Sequence, residues 1–463
     1  MNFTPLPHQK QIIDSLYNNS LHQIWCEAGS GKTACVLYNI YQKMLNLEDY
    51  KCLIFAPRTS IDLTWPNEID RWDFMKGFTY SDLRTKQGIE AWKNGTSDIY
   101  LLNYDRIKFL KELLLLNKPV NTVYFDEITK MKNPSSMRCK VWNGSHQVEK
   151  HNKSLRKNFS NVYGLTGTPA LNHLADLYGQ VLAIDAGARL GRTKTSFQNK
   201  YFDLSFNGFT LTPKENSEKK ILDLISDITL SLPPIAGVGV GPLNYVNVEI
   251  PLPLEIQKIY KKAQKDFIIK LLDKDIPALT AATLLDKLQQ LTSGCIYSYK
   301  NNDTENERTN NFIHDCKIEA LEKLSKTHDT LLVFYKFKSE ESRILSYFPQ
   351  AEKLNSENDS VERWNHGKIK IFLAHPASTA YSLNLQNGGH NIVWFSLPHS
   401  GELYGQANSR LQRMGQKNIV NIYRLLCPRT VDEAIADALR RKESTNNSVK
   451  STVNNLTKIS KLS

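Results

Sequence analysis

Between Ile24 and Thr33 the chain reads IWCEAGSGKT. An apolar run, Ile24-Trp25, gives way to a glycine-rich turn closed by Gly31-Lys32-Thr33, and an amphipathic segment, Ala34 to Leu45, follows. Strand, loop and helix in that order are the context of a phosphate-binding loop. Gly29 and Gly31, with Ser30 between them, let successive backbone N–H groups curl around an anion with no Cβ in the way. The helix that starts there points its positive end at the phosphates. Lys32 is expected to reach the β- and γ-phosphates of a nucleotide, and the Thr33 hydroxyl to ligand Mg2+. One position departs from the usual G-x-x-x-x-G-K-[ST]: Cys26 stands where the first glycine is expected.

A second signal follows at the spacing a nucleotide hydrolase needs. Thr122-Val123-Tyr124-Phe125 reads as a strand and delivers two adjacent carboxylates, Asp126 and Glu127. Asp126 is expected to hold Mg2+, and Glu127 to orient or deprotonate the attacking water. Upstream, Pro7-His8-Gln9 precedes Ile12, Ile13 and Leu16 at helical spacing. One amide both donates and accepts, so Gln9 suits an adenine edge, although a glutamine opening an exposed helix looks the same. Two further strands are expected at Cys52–Phe55, running into Ala56-Pro57-Arg58, and at Asp98–Tyr104. Tyr163-Gly164-Leu165 leads into Thr166-Gly167-Thr168-Pro169, whose two hydroxyls, if buried beside the nucleotide, suit a coupling role.

The composition, with 41% hydrophobic and 23% charged residues in 463, is that of globular protein with room for two or three domains. The seven cysteines form no C-x-x-C pair and are odd in number. That favours a reducing compartment over a disulfide scaffold or a zinc site. No apolar signal region opens MNFTPLPHQK, and no run approaches the length of a membrane span. The formal net charge of +12 favours polyanion partners, while a lysine-rich solvated surface has the same composition.

From Leu171 to Asn311 the pattern is less regular. Leu232-Pro233-Pro234 and the 236–242 run AGVGVGP read as a linker, Glu255–Leu272 and Ala278–Leu291 as helices, and the polar stretch Asn301–Asn311 as a loop. Buried-type strand runs then return at Leu331–Tyr335, Ile369–Ala374, Asn391–Leu397 and Val420–Leu425, which predicts a second parallel sheet. Gln406, Arg410 and Arg413 recur at i, i+4 and i+7, so one helix face is expected to present all three. Guanidinium groups so placed suit the stabilisation of a transferring phosphoryl group, and a solvated basic face has the same pattern. From Arg440 to Ser463, six Lys/Arg against one Glu leave a net +5, a basic and expectedly disordered tail.

As an ordered set, these segments resemble the helicase-like ATPases of superfamily 2, and within them the Swi/Snf-related DNA translocases. The glutamine motif matches at Gln9, motif I at Gly29-Ser30-Gly31-Lys32-Thr33, motif II at Asp126-Glu127 and motif III at Thr166-Gly167-Thr168-Pro169. Motif V matches around Ser382-Leu383-Asn384-Leu385-Gln386, and motif VI from Gln406 to Arg413. The narrower assignment rests on Trp65…Glu68…Trp72, Lys132-Asn133, Leu288-Gln289-Gln290-Leu291, Arg413-Met414-Gly415-Gln416 and Thr430-Val431-Asp432-Glu433. Two positions depart from the family: Thr129 stands where a histidine is usual, and Ser382 where a glycine often precedes LNLQ.

The resemblance implies an α/β fold of two RecA-like parallel-sheet domains with a helical insertion between motifs III and IV. The expected divisions are 1–205, 206–310 for linker and insertion, 311–443, and 444–463 for the tail. It implies ATP and Mg2+ as cofactors, with Gln406 beside Gln9 and the loop among the nucleotide contacts, and Arg410 and Arg413 arriving from the second domain. It implies double-stranded DNA as partner, RNA being an alternative, with Arg58, Thr59, Ser378 and Thr379 as phosphate contacts. The expected molecule is a cytoplasmic or nucleoid-associated monomer of the compact kind found in bacteria and phages, with no membrane partner. A strand-separating helicase and a non-catalytic scaffold are the alternatives.

Overall fold

The computed structural model describes residues 1–442 apart from 28, 145–153, 171–172, 205–210, 233–242, 273–277, 303–304, 356–358, 380–382 and 414. The basic tail, Ser382 and Met414 therefore lie outside the described residues. The chain divides into two compact units, one built on residues 1–235 and the other on residues 236–441. The division falls within the 232–242 stretch whose prolines and glycines read as a linker.

In the first unit, runs such as Cys52–Ala56 and Ile99–Asn103 are buried at every residue. A strand buried on both faces must be covered by helices on both, which is the parallel α/β arrangement. The strands are β1 (Leu21–Trp25), β2 (Cys52–Ala56), β3 (Tyr80–Asp82), β4 (Ile99–Asn103), β5 (Thr122–Asp126) and β6 (Asn161–Thr166). After a small antiparallel pair, β7 (Phe202–Leu204) and β8 (Leu211–Pro213), comes β9 (Thr229–Ser231). The seven-stranded sheet runs β3-β4-β2-β5-β6-β1-β9, with every pairing parallel. Alternate side chains feed two cores. Leu53, Phe55, Val123 and Phe125 enter one, and Cys52, Ile54, Ala56 and Tyr124 the other.

The second unit repeats the plan. Its strands are β10 (Leu243–Glu249), the pair β11 (Cys295–Asn302) and β12 (Glu305–Phe312), then β13 (Leu331–Phe334), β14 (Glu352–Lys353), β15 (Ile371–Ala374), β16 (Asn391–Trp394) and β17 (Val420–Leu426). The six-stranded parallel sheet runs β10-β17-β16-β13-β15-β14. Two parallel sheets wrapped by helices are the two RecA-like domains the sequence predicts. The helices Leu254–Leu272 and Ala278–Ser293 form the insertion before β13. The 206–310 stretch, expected as linker and insertion, also supplies an edge strand to each sheet, β9 to the first and β10 to the second.

One expectation is corrected here. Asn301–Asn311 is not a loop: β11 and β12 pair antiparallel from Cys295↔Phe312 to Asn302↔Glu305. The register is set at the base, where Ile296 packs on the core and the Ser339 hydroxyl donates to Tyr297 Oη at 3.0 Å. Backbone pairing then carries the polar half, whose composition gives no strand signal.

Beneath the second sheet lies an ion pair sealed from water. Lys317 Nζ meets Asp432 Oδ2 at 2.9 Å, with side chains 1% and 2% exposed. Lys317 also donates to Phe395 O at 3.0 Å, and Asp432 accepts from the Thr292 hydroxyl at 2.9 Å and from Cys427 N at 3.2 Å. Burial pulls the Lys317 pKa down, but Asp432 beside it, together with Cys427 and Glu340, more than offsets this and leaves it raised. Four segments distant in sequence thus close on one pair of charges.

Candidate active site

Strand order decides what meets at the carboxyl edge of the first sheet, where open parallel sheets bind their ligands. β1 ends in the glycine-rich loop, and its neighbour β6 ends in Thr166, opposite Trp25. β5 lies on the other side of β6 and ends in Asp126. Two strand spacings, roughly 10 Å, therefore separate the loop from the acidic pair, with motif III between them.

The loop is built for close backbone approach. Gly29 and Gly31 adopt φ of 82° and 80°, and Gly31 precedes helix α2 (Lys32–Asn46), which no side chain caps. The first amides of α2 are thus left to meet an anion at the positive end of the helix. Gln9, 4% exposed on helix α1 (Pro7–Asn18), presses against this turn. Its Nε2 donates to Ser30 O at 3.2 Å, and its Oε1 accepts from Leu6 N at 3.0 Å. A Cβ on residue 31 would lie 2.3 Å from Gln9 Nε2. His8, not expected as a site residue, joins the contact: its Nε2 lies 3.2 Å from Ser30 O, and a carbonyl accepts only, so that nitrogen carries the proton. Cys26 belongs to the same lock, its Sγ accepting from the Ser30 hydroxyl at 3.2 Å.

Gly31→Ala is accordingly expected to fail twice over, by the left-handed φ, roughly 1–2 kcal/mol for an L-residue, and by the clash. The expected result is a lower melting temperature and loss of any rise on adding ATP. Gln9→Ala in the same background relieves the clash and not the φ, so it restores only part of the melting temperature. Thermal melts with and without ATP check both.

Lys32 folds over the mouth of the loop, donating to Cys26 O at 2.9 Å and Glu27 O at 2.8 Å. Thr33 follows it in the first turn of α2. At the end of β5, Asp126 Oδ2 accepts from Trp65 Nε1 at 3.1 Å, and its backbone carbonyl accepts from Tyr104 Oη at 2.7 Å. Burial pushes the Asp126 pKa up, opposed by the Trp65 N–H and the Lys32 ammonium. Glu127 adopts φ 59°, an uncommon conformation for a non-glycine residue and one that gathers at functional sites. A triphosphate cradle, a hydroxyl and a carboxylate fit ATP with Mg2+, the hard cation of oxygen ligands.

Motif III is tied into this edge through Cys26 N, which donates to Thr166 O at 3.1 Å. Only one of its two threonines is buried: Thr166 is, and its Oγ1 accepts from Thr168 N at 3.0 Å, whereas Thr168 is half-exposed. Thr129 is 4% exposed, and its hydroxyl has no hydrogen-bond partner among the described residues. Arg58 is exposed, with Nε 3.9 Å from Asp62, and Thr59 is half-buried beside it.

In the second unit the expected arginine face is not a helix face. The helix Gly401–Asn408 carries Gln406 and ends before Arg410. Arg410 N bonds Ala407 O at 3.1 Å in a turn, and Arg413 lies in the bend beyond. The i, i+4, i+7 pattern fails because Ser409 caps the carboxyl end, its hydroxyl donating to Gln406 O at 2.7 Å. Arg410 is 4% exposed. Gln416 Nε2 reaches Gln386 O and Gly389 O, each at 3.0 Å, joining motif VI to motif V. Ser378 is exposed in the short helix Pro376–Thr379, its hydroxyl donating to His375 O at 2.7 Å, and the side chain of Thr379 lies outside the described residues.

Comparison with known proteins agrees with this geometry. The family model for the type III restriction enzyme res subunit matches residues 2–171. Protein p41 of the Acyrthosiphon pisum secondary endosymbiont phage 1 is 32% identical over 459 residues, covering 96% of this chain and 97% of that one. The chain belongs to the Swi/Snf-related ATPases of helicase superfamily 2. An ATP-dependent helicase of Mycoplasma pneumoniae is 23% identical over 430 residues, and the chain spans 39% of its length. A solved Sulfolobus solfataricus SWI2/SNF2 ATPase core in complex with dsDNA aligns with 100% of the chain at 18% identity and a TM-score of 0.42. Among the described residues of this Swi/Snf-related ATPase, no helix is long and apolar enough to cross a membrane.

Proposed function

We propose that the chain hydrolyses ATP in its first unit and uses the cycle to move along duplex DNA without necessarily separating the strands. The observation that carries the ATP half is the Gln9 contact: a side chain able to read a base is packed on the glycine that turns the phosphate loop. Gln9, Gly29, Ser30, Gly31, Lys32, Thr33 and Gln406 are proposed as the nucleotide contacts, with Lys32 neutralising charge on the β- and γ-phosphates. Mg2+ bound with the triphosphate supplies further neutralisation, and Thr33 and Asp126 are the residues that would hold it. Glu127 orients the water and receives its proton. Arg410 and Arg413 are the guanidinium donors proposed to stabilise the transferring phosphoryl group.

The DNA half is supported by the net charge of +12 and by the exposed positions of Arg58 and Ser378. With Thr59 and Thr379 these are proposed to contact phosphates. Hydroxyls and guanidinium groups bind a backbone irrespective of sequence, as a translocating motor requires. The proposed molecule acts as a monomer.

Steady-state ATPase assays with no nucleic acid, single-stranded DNA, duplex DNA and RNA test this reading, at one fixed low salt concentration because such binding falls steeply with salt. The strongest stimulation is expected from duplex DNA, with no strand displacement in a parallel assay. Stimulation mainly by single strands or RNA replaces the translocase with an unwinding helicase.

A further inference from the structure

Asp126 is gripped from the side of the sheet that faces away from the phosphate loop. In the order β4-β2-β5-β6-β1, the loop lies beyond β6, while β2 and β4 lie on the other side of β5. From the end of β2 the chain passes through Arg58 and Thr59 into a π-turn, Ser60–Thr64, closed by Trp65 N donating to Ser60 O. Trp65 then opens helix α3 (Trp65–Arg71). It is fully buried, and its indole N–H binds Asp126 Oδ2 at 3.1 Å. From the end of β4, buried Tyr104 holds the Asp126 backbone carbonyl.

The stretch 58–65 therefore has an exposed guanidinium at one end and a hydrogen bond to the candidate metal carboxylate at the other. The turn between them is the wide i→i+5 kind, which is rare and frequently found at functional sites. The Thr59 and Thr64 hydroxyls are buried with no hydrogen-bond partner among the described residues. The turn thus has polar groups to re-pair if its ends shift. Asp62 within it is bound by Arg84, which also holds Asp82, so the outer side of the turn is fixed to β3. Displacement at Arg58 and Thr59 has its outlet inward, toward Trp65.

Resting on the reading of the chain as a DNA-stimulated ATPase, we infer that Trp65 is a positioning residue that couples polynucleotide phosphate at Arg58 and Thr59 to the Asp126 carboxylate. The indole N–H holds Oδ2, which leaves Oδ1 as the oxygen that would be offered to a cation. A phosphate drawn onto residues 58 and 59 shifts the π-turn and tightens or loosens that hold. Such coupling is reciprocal: magnesium nucleotide must change the affinity for DNA by the same factor as DNA changes the affinity for nucleotide.

The test is an equilibrium one. The dissociation constant of a fluorescent duplex oligonucleotide is measured by anisotropy, with and without a non-hydrolysable ATP analogue and Mg2+. The proteins are the wild type, Trp65→Phe, and a chain carrying 3-benzothienylalanine at position 65, which keeps the bicyclic shape and replaces N–H with sulfur. The wild type is expected to show a coupling factor between about 5 and 150. Both altered chains are expected to bring it close to one, each ligand alone binding within about threefold of wild type. A benzothienyl chain with the wild-type factor, or a wild type with a factor of one, overturns the inference. Lys32→Ala separates the two readings, because its retaining wild-type nucleotide affinity brings down the site assignment itself.

Discussion

Replacing Lys32 by alanine is expected to abolish measurable ATP turnover, and replacing Glu127 by glutamine to do the same by another route. Lys32 is the one side-chain ammonium folded across the phosphate loop among the described residues, bonded to Cys26 O and Glu27 O. Lys32 is the one basic residue in the loop sequence CEAGSGKT, at the place proposed for developing phosphoryl charge. Removing one preorganised donor of that kind costs roughly 100- to 1,000-fold in turnover. Glu127→Gln keeps the shape and removes the proton acceptor, a loss of roughly 100- to 10,000-fold. The two variants part in binding. Lys32→Ala is expected to lose fluorescent-nucleotide affinity as well as turnover, whereas Glu127→Gln binds nucleotide and stalls. Coupled ATPase assays and nucleotide titrations read both, with circular dichroism as the check on folding. Full activity in either variant removes that residue from the site.

The second large effect is on stability. Lys317→Met leaves Asp432, 2% exposed, without its cation inside the second unit. Breaking a buried pair from one side typically costs about 3–5 kcal/mol, because the remaining charge has neither water nor a counter-ion. Adding Asp432→Leu removes that charge, so the double variant is expected to recover part of the loss. Recovery stays incomplete because Cys427 N loses its acceptor. Urea unfolding followed by hydrogen exchange in β16 and β17 measures the effect where it arises. Equal stability of wild type and Lys317→Met would show that the pair is not what closes the unit.

Much of this was legible before any coordinates, for a physical reason. Parallel strands buried on both faces write themselves as unbroken apolar runs, and the residues that follow them stand at the ligand-binding edge. The glycine loop, Asp126-Glu127 and Thr166 could therefore be placed from sequence. What could not be read were contacts between segments far apart. The Trp65 bond to Asp126 spans 61 residues and is made by an indole that the sequence marks only through its resemblance to a family motif. His8 gave no signal beyond its place beside Gln9. The arginine face was misread because a helical repeat says nothing about where the helix stops, and here it stops at Asn408. The β11–β12 pair was missed because the polar composition of its distal half gives no strand signal.

The edge strands bear on how the chain is made. Gln23 on β1 bonds Thr229 on β9 across 206 residues, and Asn244 on β10 bonds Asn421 on β17 across 177. During synthesis the strand that ends in the phosphate loop leaves the ribosome well before β9 and waits with one flank unpaired until β9 emerges. The second sheet waits in turn, from β10 until β17 is made. An amino-terminal fragment cut at residue 205 would keep every residue of the candidate ATP site in its first unit and still lack the strand that shields β1. Such a fragment would be prone to self-association through that open edge, and the shortest soluble nucleotide-binding piece of this protein should include Ser231.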